Sequence, residues 1–115
     1  WIVDDCEKFV AREIRRGRKY DAIIMDPPSY GRGPGGEVWR LEENIFDLVE
    51  LCSGVLSENP LFFLLNSYTT GLSPAVMGYL LNPKFGGGVT ADEIGLPVEQ
   101  SGMVLPCGST AIWKK

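Results

Sequence analysis

Residues Tyr20-Asp21-Ala22-Ile23-Ile24-Met25-Asp26-Pro27-Pro28-Ser29-Tyr30 decide the fold predicted for this chain. The apolar run 22–25 is short and rich in isoleucine, so it predicts a strand buried on both faces. The two prolines cannot donate to a β ladder, and they disfavour helical geometry in the residues before them. The strand is therefore expected to end near Asp26, followed by a stiff loop. In open α/β sheets, ligands bind at that end of the strands.

The loop 26–30 carries the groups needed to bind a flat ring with an amino substituent. An ionised Asp26 and the carbonyls of Pro27 and Pro28 are hydrogen-bond acceptors. The ring of Tyr30 can stack on a base, an interaction worth roughly 1–3 kcal/mol. The alternative is a plain strand that ends in a proline turn, which any α/β domain can contain.

Composition excludes several classes of protein. A chain of 115 residues with 44% hydrophobic content accommodates one small domain, and no apolar run is long enough to span a membrane. The absence of histidine excludes His-based triads and His metal sites from this segment. Three widely spaced cysteines argue against a disulfide framework or a zinc site and fit a reducing cytoplasm.

Charge gives a mixed indication about nucleic acid. The net charge of −4 argues against a free-standing nucleic-acid-binding domain, since such domains are usually basic. Basic residues nevertheless cluster locally at Arg12, Arg15, Arg16, Arg18 and Lys19. That cluster is either a solvated helix end or an RNA contact. Arg32 follows the acidic loop directly, where it could contact a phosphate or a substrate.

The remaining pattern predicts alternating strands and helices. Trp1–Val3 is interpreted as a strand end, and Asp4 with Glu7 as a capping-box-like start of a helix that ends at Gly17. Further elements are a glycine-rich loop over 31–36, a helix over 41–56, a buried strand over 61–65, a helix from Ser73 to about Pro83, and strands over 89–99 and 108–113. Two buried strands with a helix between them predict a right-handed parallel βαβ unit, and the last two strands predict a closing antiparallel pair.

Three features of this pattern bear on a site. The loop 31–36 is either a mobile segment that closes over substrate or a simple connector, and no Lys-Ser/Thr pair supports a P-loop. Asn66-Ser67-Tyr68 would lie at the same sheet edge as Asp26, either beside the pocket or as a polar strand exit. Cys52 falls in an apolar helical stripe, which favours a core role over a nucleophile.

The string Asp26-Pro27-Pro28-Ser29-Tyr30 after an apolar strand resembles motif IV of class I S-adenosylmethionine-dependent methyltransferases. With residues 31–33, 36–39 and Leu41, it is similar to a bacterial group related to the 23S rRNA large-subunit methyltransferases, and the likeness covers nearly the whole chain. The resemblance implies the C-terminal part of a Rossmann-like methyltransferase fold: a parallel sheet with a terminal antiparallel hairpin and helices on both faces. It also implies S-adenosyl-L-methionine as cofactor.

The resemblance also implies roles for individual residues. The implied catalytic residues are Asp26, Pro27, Pro28 and Tyr30, and the implied cofactor-binding residues are Asp5, Cys6 and Asp26. Asp5 would accept from the adenine amine and the Cys6 N–H would meet the adenine ring, whereas plain N-capping is the alternative reading of the carboxylates here. The implied substrate-binding residues are Ser29, Arg32, Asn66, Ser67 and Tyr68.

The expected reaction is methyl transfer to a nucleobase nitrogen of RNA, with ribosomal RNA as the partner, in the cytoplasm, without a metal ion. Relatives that methylate carbon 5 of cytosine need a thiol after the strand that here ends in Asn66-Ser67-Tyr68, and no cysteine stands there. Two alternatives stay open: a non-catalytic α/β binding or interaction module, and a methyltransferase for a small molecule or a protein amide.

The domain prediction is a partial catalytic domain over residues 1–115. The chain opens on Trp1-Ile2-Val3 without an initiator methionine, which suggests a piece of a longer polypeptide. The glycine-rich turn and the acid that hold the methionine and ribose of the cofactor would precede Trp1. The isolated piece is therefore expected to bind the cofactor weakly and to be inactive.

Overall fold

The structure is a computed structural model that describes residues 1–69 and 71–115. Its helices are α1 (Cys6–Arg15), α2 (Leu41–Ser53) and α3 (Pro74–Phe85). Its strands are β1 (Ala22–Met25), β2 (Tyr30–Arg32), β3 (Val38–Arg40), β4 (Phe62–Ser67), β5 (Val89–Pro97) and β6 (Val104–Lys114). None of the helices in the described residues is long and apolar enough to cross a membrane.

The main sheet has the strand order β1-β4-β6-β5. Strands β1 and β4 are parallel, and β6 pairs antiparallel with both β4 and β5. The predicted α/β class, parallel βαβ unit and terminal antiparallel hairpin are therefore confirmed. Strand β6 begins at Val104, four residues earlier than predicted, because the pairing with β5 resumes beyond a bulge between Ile94 and Gly95.

The core lies between this sheet and the helices. The predicted apolar stripe of α2 is buried, and it packs with alternate residues of β4 and with α3; the cluster includes Leu41, Ile45, Leu48, Val49, Cys52, Phe63, Leu65, Met77 and Leu81. Helices α2 and α3 therefore cover the same face of the sheet. This is the expected result of two right-handed crossovers that progress in one direction across a sheet. The prediction placed helices on both faces of the sheet. The helices in the described residues lie on one face.

Two expectations for the first strands are wrong. Strand β1 is not buried on both faces: Met25 is buried in the core, whereas Ile24 projects to the other face of the sheet and is 68% exposed, since no helix in the described residues covers that face. Trp1, Ile2 and Val3 are exposed and lie outside any strand, because no strand in the described part of the chain pairs with them.

The helix boundaries differ by a few residues from those predicted. The N-cap of α1 is Asp5 rather than Asp4, and its side chain accepts from the backbone N–H of Lys8. The Asp4 carboxylate instead pairs with Arg12, and this hydrogen bond holds its pKa below the usual value. Helix α3 continues through Pro83 to Phe85 and ends before Gly86, which has a φ of 71°.

The glycine-rich segment forms an ordered β-hairpin rather than an irregular loop. Gly31 and Arg32 belong to β2, which pairs antiparallel with β3. The backbone N–H of Gly33 donates to the carbonyl of Glu37 at 2.9 Å, and the Glu37 carboxylate accepts from the Gly35 N–H at 2.9 Å. The glycines therefore serve a tight turn between two strands, which the sequence did not predict.

Candidate active site

Asp26 lies at the carboxyl end of β1, level with Asn66 at the end of β4. The register pairs Met25 with Leu65, so the residues that follow each of them emerge at the same edge of the sheet. Asp26 is exposed, and no hydrogen bond within the described residues engages its carboxylate. An acceptor is thus presented to solvent at the edge where ligands of parallel sheets bind.

Three hydrogen bonds hold the loop that follows Asp26. The indole Nε1 of Trp39 donates to the Pro28 carbonyl at 2.6 Å, and the backbone N–H of Leu41 donates to the Ser29 carbonyl at 3.0 Å. The hydroxyls of Ser29 and Thr69 share a hydrogen bond of 2.6 Å. The loop is therefore anchored to β3, to the start of α2 and to the segment after β4.

These bonds change the roles expected for two residues. The Pro28 carbonyl is already engaged by Trp39, which leaves the Pro27 carbonyl and the Asp26 carboxylate as the open acceptors of the loop. The Ser29 hydroxyl is engaged by Thr69, so Ser29 positions the loop. Sequence reasoning missed Thr69, which carries no motif signal, and it gave no role to Trp39, although this residue belongs to the string that carries the resemblance.

Tyr30 begins β2 with its side chain about half exposed. Its hydroxyl accepts a hydrogen bond of 2.7 Å from the Nε of Arg32. The ring is therefore held by a neighbour on the same strand while its surface stays accessible. The catalytic prediction requires both residues to be accessible, and neither Asp26 nor Tyr30 is buried in the interior.

The residues at the end of β4 lie apart from the loop that follows Asp26. Ser67 is buried, and its hydroxyl accepts from the backbone N–H of Thr69 at 3.0 Å, whereas Tyr68 is 60% exposed. Both line a cleft of about 570 Å³ between this segment and the β5–β6 pair. Asp26 does not line that cleft. The structure thus divides the predicted substrate residues between an open loop and a neighbouring cleft.

Cys107 also lines this cleft. Its thiol donates to the Ile94 carbonyl at 3.5 Å. Cys52 is buried in the core as predicted, and burial raises the pKa of its thiol to about 11. Cys52 is therefore unsuited to act as a nucleophile.

Asp5 and Cys6 meet at the start of α1. One carboxylate oxygen of Asp5 accepts from the Lys8 N–H at 3.0 Å, and the other lies 3.8 Å from the Lys8 ammonium. The N–H of Cys6, the first residue of the helix, has no intrahelical acceptor. An exposed carboxylate next to a free N–H fits the donor and acceptor that the amino-pyrimidine edge of an adenine needs. No group of acids and cysteines in the described residues is arranged to bind a metal ion.

The basic cluster lies at the opposite edge of the sheet from Asp26. Arg16 pairs with Glu13 at 3.1 Å, and the ammonium of Lys19 donates to the Gly54 carbonyl at 2.9 Å. Glu13 itself is buried and accepts from the Tyr20 hydroxyl at 2.5 Å, which lowers the carboxyl pKa and raises the phenol pKa. This pair of a buried carboxylate and an exposed tyrosine was not predicted, because α1 carries Glu13 among charged residues that face solvent.

Comparison with solved structures identifies the fold. A SAM-dependent methyltransferase from Agrobacterium tumefaciens superposes with a TM-score of 0.87 and 33% sequence identity, over 99% of this chain and 39% of that protein. The chain has a class I methyltransferase fold. Two further structures share this methyltransferase fold at lower identity: SMU.776, assigned as a methyltransferase and solved with bound SAH (TM-score 0.68, 23% identity), and a protein from Streptococcus mutans similarly assigned (TM-score 0.62, 22% identity).

The match is partial in length. The chain spans 39% of the Agrobacterium protein and 30% of each of the other two. At 22–23% identity, those two show the shared fold alone. No family model and no curated protein matches the sequence.

Proposed function

We propose that this protein is an S-adenosylmethionine-dependent methyltransferase that acts on a nucleobase nitrogen of RNA. The observation that carries the proposal is the Asp26 carboxylate, which is open at the end of β1 beside the Pro27 carbonyl on a loop held by three hydrogen bonds. The 33% identity to a SAM-dependent methyltransferase over 99% of this chain supports it.

Asp26 and Pro27 act as acceptors for the amine that becomes methylated. Accepting hydrogen bonds from the N–H groups of the amine raises the electron density on its nitrogen and aims its lone pair. Holding the nitrogen and the methyl donor in line accounts for most of the rate. Trp39, Leu41 and Thr69 contribute by fixing the loop, so the acceptors need no reorganisation during the reaction. Tyr30 supplies the face on which a base stacks.

When bound, the cofactor supplies the methyl group from its sulfonium. Asp5 would accept from the adenine amine, and the Cys6 N–H would donate to the adenine ring. Asp5 keeps capacity for this, since a carboxylate has about four acceptor positions and one backbone N–H occupies one of them.

A nitrogen acceptor fits these residues better than carbon 5 of cytosine. Asn66 and Ser67 end β4 and Tyr68 follows them, with no cysteine among the three. Cys52 is buried with a raised thiol pKa, and the Cys107 thiol, on β6, donates to the Ile94 carbonyl. The choice of ribosomal RNA, and of the cytoplasm as location, rests on the resemblance of the sequence around Asp26.

The test is methyl transfer from labelled S-adenosylmethionine to ribosomal RNA by the full-length wild-type protein and by its Asp26→Asn variant. We expect the variant to be slower by a factor of about 100, the scale of losing one preorganised electrostatic contact. Asp47→Asn, which removes an exposed acid on α2, is the matched control and should retain full activity. An unchanged rate for Asp26→Asn would show that the site is assigned wrongly.

The same assay separates the other functions. Transfer to a small molecule or a protein amide, but not to RNA, would keep the methyltransferase and overturn the RNA substrate. An absence of transfer to any of these acceptors would favour a non-catalytic binding module.

A further inference from the structure

One face of the β2–β3 hairpin carries an aromatic ring, two guanidinium groups and no acid. Residues that lie directly opposite each other in an antiparallel pair project to the same face, so Tyr30 shares a face with Arg40, and Arg32 with Val38. Two residues along the strand place Tyr30 and Arg32 on the same side. All four side chains are exposed. We refer to Tyr30, Arg32, Val38 and Arg40 as the hairpin face.

The opposite side of the hairpin is used for anchoring. Gly31 and Trp39 pair there and are partly buried, and the Trp39 indole donates to the Pro28 carbonyl. The hairpin is thus fixed through one side to the loop that holds Asp26. The hairpin face is turned to solvent, and Tyr30 lies only four residues from Asp26.

The cations of the hairpin face are available to a ligand. Arg32 uses its Nε to donate to the Tyr30 hydroxyl and forms no ion pair within the described residues, so its terminal nitrogens are free to bind an oxyanion. Arg40 lies 3.2 Å from the Glu43 carboxylate, but both groups are more than half exposed. An exposed surface pair of this kind contributes little to stability, so a phosphate can replace Glu43 as the partner.

We propose that the hairpin face binds single-stranded RNA, with one base stacked on Tyr30 and neighbouring phosphates bound by Arg32 and Arg40. A chain with a net charge of −4 repels a polyanion overall, so a local patch of two arginines without an acid on that face is where a phosphate backbone is admitted. Guanidinium groups match phosphate geometry better than any other side chain.

Both the ring of Tyr30 and the position of Asp26 require a single-stranded RNA. A base inside a duplex is stacked on its neighbours and has no free face for Tyr30, whereas single strands splay their bases onto aromatic side chains. A target nitrogen can reach Asp26 only when its base is out of a helix. This inference rests on the proposed function, and it adds Arg40 as a substrate-binding residue that the sequence did not indicate.

The experiment is fluorescence anisotropy of a labelled single-stranded RNA and of the same sequence as a duplex, titrated with the protein between 50 and 200 mM salt. Arg32→Ala and Arg40→Gln should each weaken single-strand binding about 3- to 10-fold at the lower salt concentration. Each should also reduce the slope of log K against log salt by about 0.7, the value for one phosphate contact on a single strand.

Further variants test the ring and the competing acid. Tyr30→Phe keeps the ring and should bind within about twofold of wild type, whereas Tyr30→Ala should weaken binding at least about fivefold. Glu43→Gln frees Arg40 and should tighten binding about twofold. Arg15→Ala removes an exposed arginine of α1, at the far edge of the sheet, and is the control that should bind like wild type. The melting temperature of each variant reports whether it is folded.

The inference is overturned if Arg32→Ala and Arg40→Gln bind RNA with the affinity and salt slope of the wild type. It is also overturned if the duplex binds as tightly as the single strand, or if the folded protein binds no RNA. The first two results leave the proposed methyl transfer standing, because Asp26→Asn measures that reaction separately. A folded protein that binds no RNA would also overturn the RNA substrate of the proposed function, and the transfer assay on other acceptors then decides whether the methyltransferase activity stands.

Discussion

The indole Nε1 of Trp39 donates a 2.6 Å hydrogen bond to the carbonyl oxygen of Pro28. The two residues lie eleven positions apart in the chain, and the bond ties the hairpin to the loop that presents Asp26. Because proline has no N–H, Pro28 can be held in place by a backbone hydrogen bond only through its carbonyl. Trp39 supplies that bond.

Replacing Trp39 with phenylalanine should loosen the loop. The change keeps an aromatic ring but removes the donor, so we expect a loss of about 1 kcal/mol in the free energy of unfolding and faster amide hydrogen exchange at Ser29 and Tyr30. Trp113→Phe is the matched control, since Trp113 stacks on Phe85 at 5.0 Å and is remote from the loop. Equal exchange at Ser29 and Tyr30 in the Trp39 variant and the wild type would contradict the anchoring role.

The hydrogen bond between the buried Glu13 and the exposed Tyr20 predicts a stability that depends on pH. The Tyr20 hydroxyl and then Arg16 lower the Glu13 carboxyl pKa from 4.5, so this contribution is present above pH 4.5 and is lost as the pH falls through the folded-state pKa. Glu13 raises the Tyr20 phenol pKa from 10.0, so that contribution is present below pH 10 and is lost as the pH rises further.

Tyr20→Phe should therefore lower the melting temperature most between pH 5 and pH 9, and the difference from wild type should shrink at acidic pH. Tyr79→Phe, which changes a tyrosine that is 76% exposed, is the control and should not alter the melting curve. A difference that stays constant from pH 3 to pH 9 would show that the pair is not coupled to ionisation.

The three cysteines should differ in their reactivity toward an aromatic disulfide reagent at pH 8. Cys6 and Cys107 are exposed and should react within minutes, whereas Cys52 is buried with a thiol pKa of about 11 and should react only on unfolding. Cys52→Ala should retain both fast-reacting thiols and lose stability through the cavity it leaves. Three equally fast thiols in the folded protein would place Cys52 outside the core.

Gly108 should be intolerant of any side chain. It has a φ of 150°, and a Cβ built on it would lie 2.4 Å from the Ser67 carbonyl oxygen at the point where β6 meets β4. We expect Gly108→Ala to cost at least about 2 kcal/mol of stability, measured by denaturant unfolding. Gly87→Ala is the control, because nothing lies within 4 Å of its added Cβ. A comparable loss of stability in Gly87→Ala would contradict the claim that the contact with Ser67 makes Gly108 intolerant of a side chain.

Several parts of this protein could be read from local sequence. The apolar run 22–25 followed by two prolines marks a strand and its end, and the stripe along α2 has the helical period, so both elements and the burial of Cys52 were predictable. The position of Asp26 beside Asn66 followed from the rule that parallel strands share their carboxyl edge. These features depend on a few consecutive residues and on general topology.

The hairpin was not predictable in the same way. Residues 30–40 hold four glycines and a proline but no alternating apolar pattern, so their pairing had no period-2 signal. The exposure of Ile24 was missed because an apolar run does not state whether both faces of its sheet will be covered.

The sequence by itself determined the order of the three helices and of strands β1, β4, β5 and β6, the acid that ends β1 and the composition of the core, because these follow from the periodicity of neighbouring residues. Only the tertiary structure decided which acceptors of the loop stay open. The Pro28 carbonyl is taken by Trp39 and the Ser29 hydroxyl by Thr69, and both partners are distant in the chain. Hydrogen bonds between remote residues arise from how the elements pack together, and local sequence carries no record of that packing.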